Sequence, residues 1–351
     1  MCDNPIDIVR RYYARILMAL PRRLRMLCTR LMFLLSNKPY YYINRKMHPI
    51  TQFGKGIVSI SVDMEMAWAW RFDRKNRHQT EIIAMRERDN IPLILRVLER
   101  YSIPVTWAIV GHLFLRGCVK DDRPHKNMPR PLYFVNDFVS FRKGDWYAGD
   151  PCTDVNSAPA WYAPDLIESI MNSAVSHEIA CHSFSHIGFD ERYCPAALAD
   201  AELRECIRVM AKFGVTPVSM VFPGNDAGHF DVLAHYGFKI IRWFPYDWVE
   251  ISMPTKLECG LWAVPQSSNI VPDENWDSAY TVWRLQQYVL RAIEKKALCH
   301  LWFHPSMKRD YIETILHPII SFCAHKREAG ILDIIVLSDI VKLMERREQV
   351  K

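Results

Sequence analysis

From about residue 56 onward, short apolar or β-branched runs alternate with longer stretches whose apolar positions recur every third or fourth residue. A buried strand shows as a brief unbroken apolar run and a covering helix as one apolar stripe per turn, so the alternation predicts βα units on a mostly parallel sheet. Strands are expected at residues 57–62, 105–110, 178–181, 218–222, 239–243, 262–264, 298–303 and 334–337, with helices near 91–101, 196–213 and 278–296. Seven or eight such units predict a closed or nearly closed α/β barrel.

Two stretches depart from this rhythm. In the first, Val9, Tyr13, Ile16 and Leu20, then after Pro21 Leu24, Leu27, Leu31 and Leu34, recur at helical spacing with arginines between them. This predicts two basic amphipathic helices in a 1–50 extension ahead of a 51–351 barrel domain. Arginines interrupt every apolar run there, so a spanning helix is not expected. The segment suits either the headgroup region of an anionic membrane or packing on the barrel, and hydrophobic pattern alone does not separate these. The second stretch, residues 121–164, lacks periodicity and is rich in Pro, Asp and aromatic residues, which predicts a long insertion of the kind that shapes a cleft. Its Trp146, Tyr147, Trp161 and Tyr162 suit stacking on sugar rings or plain packing.

Half of the 351 residues are hydrophobic and 24% charged, as in ordinary globular chains. The net charge of +6 lies in the extension, where ten basic residues face only Asp3 and Asp7, so the remainder is slightly acidic and a nucleic-acid partner is not expected. The ten cysteines are scattered without a C-x-x-C pair, and no cleavable signal sequence precedes them, which points to a reducing cytoplasm.

Reactive groups of a parallel barrel gather at the C-terminal strand ends. Four such ends carry chemistry here. After the first strand, Asp63 and Glu65 alternate onto one face with Met64 on the other, and two like charges beside a buried strand call for a cation. After Glu178-Ile179-Ala180-Cys181 come His182 and His186, four apart, which one helical turn would align for a divalent metal. The run Leu301-Trp302-Phe303 stops at His304-Pro305, placing His304 at the barrel mouth. Finally Pro223-Gly224-Asn225-Asp226 form a turn in which Gly224 permits close backbone approach to a ligand.

In this order and spacing, residues 57 to 343 resemble the polysaccharide deacetylase family, the NodB-like or chitin deacetylase family. The resemblance implies a distorted (β/α)7–8 barrel, an N-acylated carbohydrate substrate and a divalent metal cofactor, Zn²⁺ foremost with Co²⁺ or Ni²⁺ as alternatives. Where the family has two adjacent aspartates, this chain has Asp63-Met64-Glu65, so the resemblance gives Glu65, His182 and His186 as metal ligands with Asp63 as base; Asp63 as the ligand is the other assignment. The run ending in His304 matches the motif of the general acid. The arginine of the family's Arg-x-Pro-x-Gly turn is absent before Pro223-Gly224-Asn225, leaving Asn225 or Arg242 to orient the base. Asp247-Trp248 resembles the acidic and aromatic element that supports the acid.

The expected reaction is hydrolysis of an N-acetyl or other N-acyl group, with a lipid-linked or cell-surface glycan precursor as substrate and a peripheral position at the inner membrane face. A metal-independent or formamide-type C–N hydrolase and a glycan-binding relative without catalysis, motivated by Met64 and the missing arginine, are the competing readings.

Overall fold

The computed structural model describes residues 19–35, 53–120, 125–243, 251, 253–271 and 276–349. Asp247 and Trp248, the expected acidic and aromatic element, lie outside the described residues, as do residues 1–18 of the extension, with Val9, Tyr13 and Ile16, and residues 36–50.

Twelve strands are described: β1 Gly56–Met64, β2 Thr106–Ile109, β3 Phe134–Val135, β4 Ser140–Phe141, β5 Glu178–Cys181, β6 Ser219–Val221, β7 Ile240–Arg242, β8 Thr255–Lys256, β9 Trp262–Val264, β10 Ser268–Asn269, β11 Leu298–Phe303 and β12 Leu332–Ile334. The main sheet runs β10-β11-β1-β2-β5-β6-β7-β9-β8, with β12 beside the start of β1, and only β8 pairs antiparallel. β3 and β4 form a separate hairpin in the insertion. The principal helices are α1 Arg22–Leu35, α2 Thr80–Arg100, α3 Pro164–Met171, α4 Ala196–Ala211, α5 Ser278–Lys295, α6 His317–Glu328 and α7 Leu337–Gln349. No helix among the described residues is long and apolar enough to cross a membrane.

The sheet curls without closing: among the described residues no ladder joins β8 or β9 to β10. This is a distorted α/β barrel, open on one side. Every residue of β1 is buried, since strands flank it on both edges and helices cover its outer face. Gly56 opens it because α5 crosses so closely that a Cβ would sit 2.6 Å from the Ile293 Cα. The inner face is apolar at one end and polar at the other. Ile57, Ala108, Ala180, Val221, Ile240 and Leu298 pack against Leu337, Ile340, Val341 and Met344, so α7 plugs the N-terminal mouth of the curl. Its first turn is held there by Thr106 Oγ1, which accepts from the Leu337 N–H, and by Glu178 Oε2, which accepts from the Ser338 N–H. Reactive side chains are thereby left to the opposite mouth.

Two expected elements shift. The last strand is Leu332–Ile334 rather than 334–337, and Leu337 begins α7. Its pairing with Gly56–Val58 sets the register, which the apolar run alone does not fix. Helix α2 begins eleven residues before the expected 91–101 stretch and carries Pro92 within it.

Candidate active site

Strand β1 delivers Asp63 in its penultimate position, with Glu65 directly after its end, and both are buried at the C-terminal mouth. Met64 points into the apolar core instead. The chain must turn sharply here: Met66 has φ 51°, strained for an L residue, and the turn is stabilised by Glu87 of α2. Its carboxylate accepts from the N–H groups of Glu65 at 2.8 Å and Met66 at 3.2 Å. Burial, then the neighbouring Glu65 charge, pushes the Glu87 carboxyl up to about 8.

The two histidines follow β5 and are not on a helix, contrary to the expected helical turn. Residues 182–186 form an irregular loop in which Ser183 and His186 take positive φ, 53° and 59°. A helix here would compete with the hydrogen bonds that the loop makes. Glu202 of α4, fully buried, accepts from the N–H groups of Phe184 at 2.8 Å and Ser185 at 2.7 Å, and from the Ser185 hydroxyl at 2.6 Å. Each loop is thus shaped by a buried glutamate on the next principal helix carrying its N–H groups. Neither glutamate stands out in the sequence as more than a helix residue, though a lone acid on the apolar stripe of an amphipathic helix is the signal that marks both.

Both imidazoles converge on one atom. Glu65 Oε1 lies 3.0 Å from His182 Nε2 and 2.9 Å from His186 Nε2. His182 Nδ1 is 2.8 Å from the Val221 carbonyl, which only accepts, so the ring proton of a neutral His182 sits on Nδ1 and its Nε2 lone pair faces a carboxylate oxygen. Two lone pairs held at 3 Å need a cation or a proton between them. The donor set, two neutral imidazole nitrogens and one carboxylate oxygen with the outer nitrogen of one imidazole oriented by a carbonyl, fits a divalent metal with positions left for water. Burial lowers the His186 pKa, which keeps that ring neutral.

Asp63 has a different partner. Arg242, at the end of β7 across the curl, donates to its two oxygens at 2.7 and 2.6 Å and to Ser61 Oγ at 2.9 Å. Burial alone would raise the Asp63 pKa, but the guanidinium outweighs it and holds the carboxyl below its usual range. Of the two candidates for orienting Asp63, it is Arg242 that makes the contact. Asn225 lines the cleft with Pro223 and Gly224, in a turn where Gly224 (φ 63°) and Asn225 (φ 60°) are both left-handed.

His304 is partly exposed, with Nε2 3.5 Å from Glu65 Oε1 and 3.9 Å from Asp63 Oδ2. Burial opposes its charged form, yet the Glu65 and Asp63 carboxylates prevail and push it up to about 9. Among the described residues the acidic groups that raise it are Glu65, Asp63 and, more weakly, Glu87; Asp247 lies outside the described residues.

These groups open into a cleft of about 240 Å³ walled by Trp70, Phe134, Phe138, Trp146, Tyr193 and Trp302, which adjoins a wider groove of about 510 Å³ over Phe134, Phe138, Arg192 and Tyr193. Of the four insertion aromatics, only Trp146 reaches the cleft. Tyr147, Trp161 and Tyr162 are buried, Trp161 accepting through its carbonyl from Trp68 Nε1 and Tyr162 donating to Asp150.

No family model and no curated protein sequence matches the chain. Solved structures do match in fold. A Mycobacterium smegmatis protein assigned as a polysaccharide deacetylase aligns with a TM-score of 0.59 at 16% identity, over 86% of this chain and 96% of that one. A Pseudomonas aeruginosa PAO1 protein with the same assignment gives 0.57 at 12% identity, over 83% and 91%. The PuuE allantoinase gives 0.55 at 12% identity, over 82% and 90%. The fold is therefore the NodB-like polysaccharide deacetylase fold. On it, this chain carries the Glu65, His182 and His186 cluster beside an arginine-clamped Asp63.

Proposed function

We propose that the protein is a metal-dependent hydrolase that removes an N-acetyl or related N-acyl group from a carbohydrate. The observation that carries this is the convergence of His182 Nε2 and His186 Nε2 on Glu65 Oε1, three metal-ligating atoms in a buried mouth with Asp63 and His304 beside them. Aromatic walls suit the apolar faces of a sugar ring, and the solved structures of the same fold include proteins assigned as polysaccharide deacetylases.

A divalent ion, Zn²⁺ foremost, held by Glu65, His182 and His186 would polarise the amide carbonyl and lower the pKa of a bound water. Asp63, kept ionised and fixed in direction by Arg242, takes the proton from the attacking water. His304, 3.5 Å from Glu65 and 3.9 Å from Asp63 and held protonated by these carboxylates, gives a proton to the departing nitrogen as the C–N bond breaks. The water oxygen ends in the carboxylate product and the sugar leaves as a free amine.

The finer substrate assignment is a lipid-linked glycan precursor, supported by α1. Arg25 and Arg30 stack their guanidinium groups over Trp276 and over Tyr280 and Trp283, docking one face of the helix against the start of α5. Leu24, Leu27 and Leu31 face outward, about half exposed (47, 54 and 49%). Such an edge, in a basic segment, suits insertion among anionic headgroups.

The test is acetate release from a panel of free and lipid-linked N-acetylated sugars, using protein stripped of metal and then reloaded with zinc. Zinc-restored release establishes the reaction. Release that survives chelation favours a metal-independent C–N hydrolase, and no release across the panel with zinc tightly bound overturns the acetyl assignment.

A further inference from the structure

A second cluster of ligating side chains lies behind the cleft wall, built from the turn after β2 and from the insertion. His112 Nε2 and His125 Nε2 are 3.1 Å apart and lie 3.0 and 3.1 Å from Asp150 Oδ2. Cys118 Sγ lies 3.3 Å from the same oxygen. These four atoms fall within 4.8 Å of one another, and the side chains of His112, His125 and Asp150 are at most 7% exposed.

Hydrogen bonding alone serves this arrangement poorly. Asp150 Oδ1 is already engaged, accepting from the Tyr162 hydroxyl at 2.6 Å and the Cys152 N–H at 3.0 Å. Without an ion the two Nε2 atoms, 3.1 Å apart, either both carry protons and crowd each other, or one turns a lone pair onto the Asp150 Oδ2 lone pairs at 3.0–3.1 Å; Cys118 Sγ, which also lies 3.2 Å from the Tyr162 hydroxyl, relieves neither case. A tetrahedral ion resolves the crowding by taking a lone pair from each group. Zinc bonds of about 2.0 Å to nitrogen and oxygen and about 2.3 Å to sulfur put ligand atoms roughly 3.3 to 3.5 Å apart, so the three nitrogen and oxygen atoms, 3.0–3.1 Å apart here, would spread by a few tenths of an ångström, and Cys118 Sγ already lies 3.3 Å from Asp150 Oδ2. Charge agrees as well: a thiolate and a carboxylate neutralise a divalent ion, so the buried site carries no net charge. The mixed sulfur, nitrogen and oxygen set selects zinc over the harder cations, and four protein ligands close the coordination sphere as structural sites do.

We propose that His112, Cys118, His125 and Asp150 form a structural zinc site that pins the insertion to the end of β2. The insertion supplies Phe134, Phe138 and Trp146 to the cleft, so this ion fixes the wall against which substrate rests. The site is separate from Glu65, His182 and His186 and does not depend on the catalytic reading.

Sulfur distinguishes the two sites, because the Glu65 cluster has none. The full chain is loaded with Co²⁺ and its near-ultraviolet spectrum recorded. A thiolate-to-cobalt charge-transfer band is expected in the wild type and in His186→Ala, and its loss in Cys118→Ser. Absence of the band from folded wild-type protein, or its survival in Cys118→Ser, overturns the proposal. Should Cys118→Ser fail to fold, X-ray absorption at the zinc edge of the wild type decides: a sulfur scatterer at about 2.3 Å supports the site, and a first shell of nitrogen and oxygen alone refutes it.

Discussion

Arg242 grips Asp63 with both terminal guanidinium nitrogens, at 2.7 and 2.6 Å, from a strand on the opposite side of the curled sheet. The pair is almost wholly buried, so each charge depends on the other. Removing the cation by Arg242→Ala leaves Asp63 unpaired and is expected to cost about 3–5 kcal/mol in urea unfolding at neutral pH. Arg242→Lys keeps the charge but loses the fork; it should lower kcat more than KM if Asp63 is aimed by the arginine.

Asp63→Asn separates the two assignments of the β1 carboxylates. With Asp63 as base, turnover disappears while zinc content stays near that of the wild type. Loss of zinc from the variant, measured by atomic absorption after dialysis, would instead make Asp63 a ligand and leave Glu65 as the base.

Glu87 and Glu202 each carry two backbone N–H groups of a loop that bears a proposed metal ligand. In Glu87→Gln one of the two N–H acceptors becomes an amide NH₂, so one buried N–H is stranded at a cost of about 1–3 kcal/mol. Because the loop aims Glu65, zinc affinity measured by chelator competition should drop about 10- to 100-fold, as for other groups that orient ligands.

His177 links stability to pH outside the site. The Val105 N–H donates to its Nδ1 at 3.2 Å, so that nitrogen must stay unprotonated, and burial lowers the imidazole to about 4. Between an unfolded pKa of about 6.5 and this value the unfolded chain binds more protons, hence stability is full above pH 6.5 and falls as pH drops toward 4. Urea midpoints measured across that window should decline, and His177→Gln, whose amide oxygen can take the same N–H, should flatten the His177 part of the decline. An unchanged slope would assign the acid sensitivity to other groups.

Deleting residues 1–50 tests the outward leucine edge of α1. Flotation with anionic liposomes is expected for the full chain and lost on deletion, with acetate release from soluble sugars retained. Equal flotation of both proteins removes the membrane role.

The sequence by itself determined the βα alternation, the strands at β1, β5 and β11, and the strand ends where Asp63, Glu65, His182, His186 and His304 sit, because burial on both faces forces unbroken apolar runs and any polar residue ending such a run is conspicuous. It also displayed the leucine periodicity of α1. Only the tertiary structure decided the rest, since those choices depend on contacts between residues far apart in the chain. Arg242 could be told from Asn225 as the partner of Asp63 only once the sheet curled β7 toward β1. The positive φ of Ser183 and His186, which brings the two imidazoles onto Glu65 without a helix, requires Glu202 eighteen residues away to hold the loop. Likewise His112, Cys118, His125 and Asp150 share no spacing that a local pattern would register; they meet because the insertion folds back over β2, and that packing is a property of the folded chain.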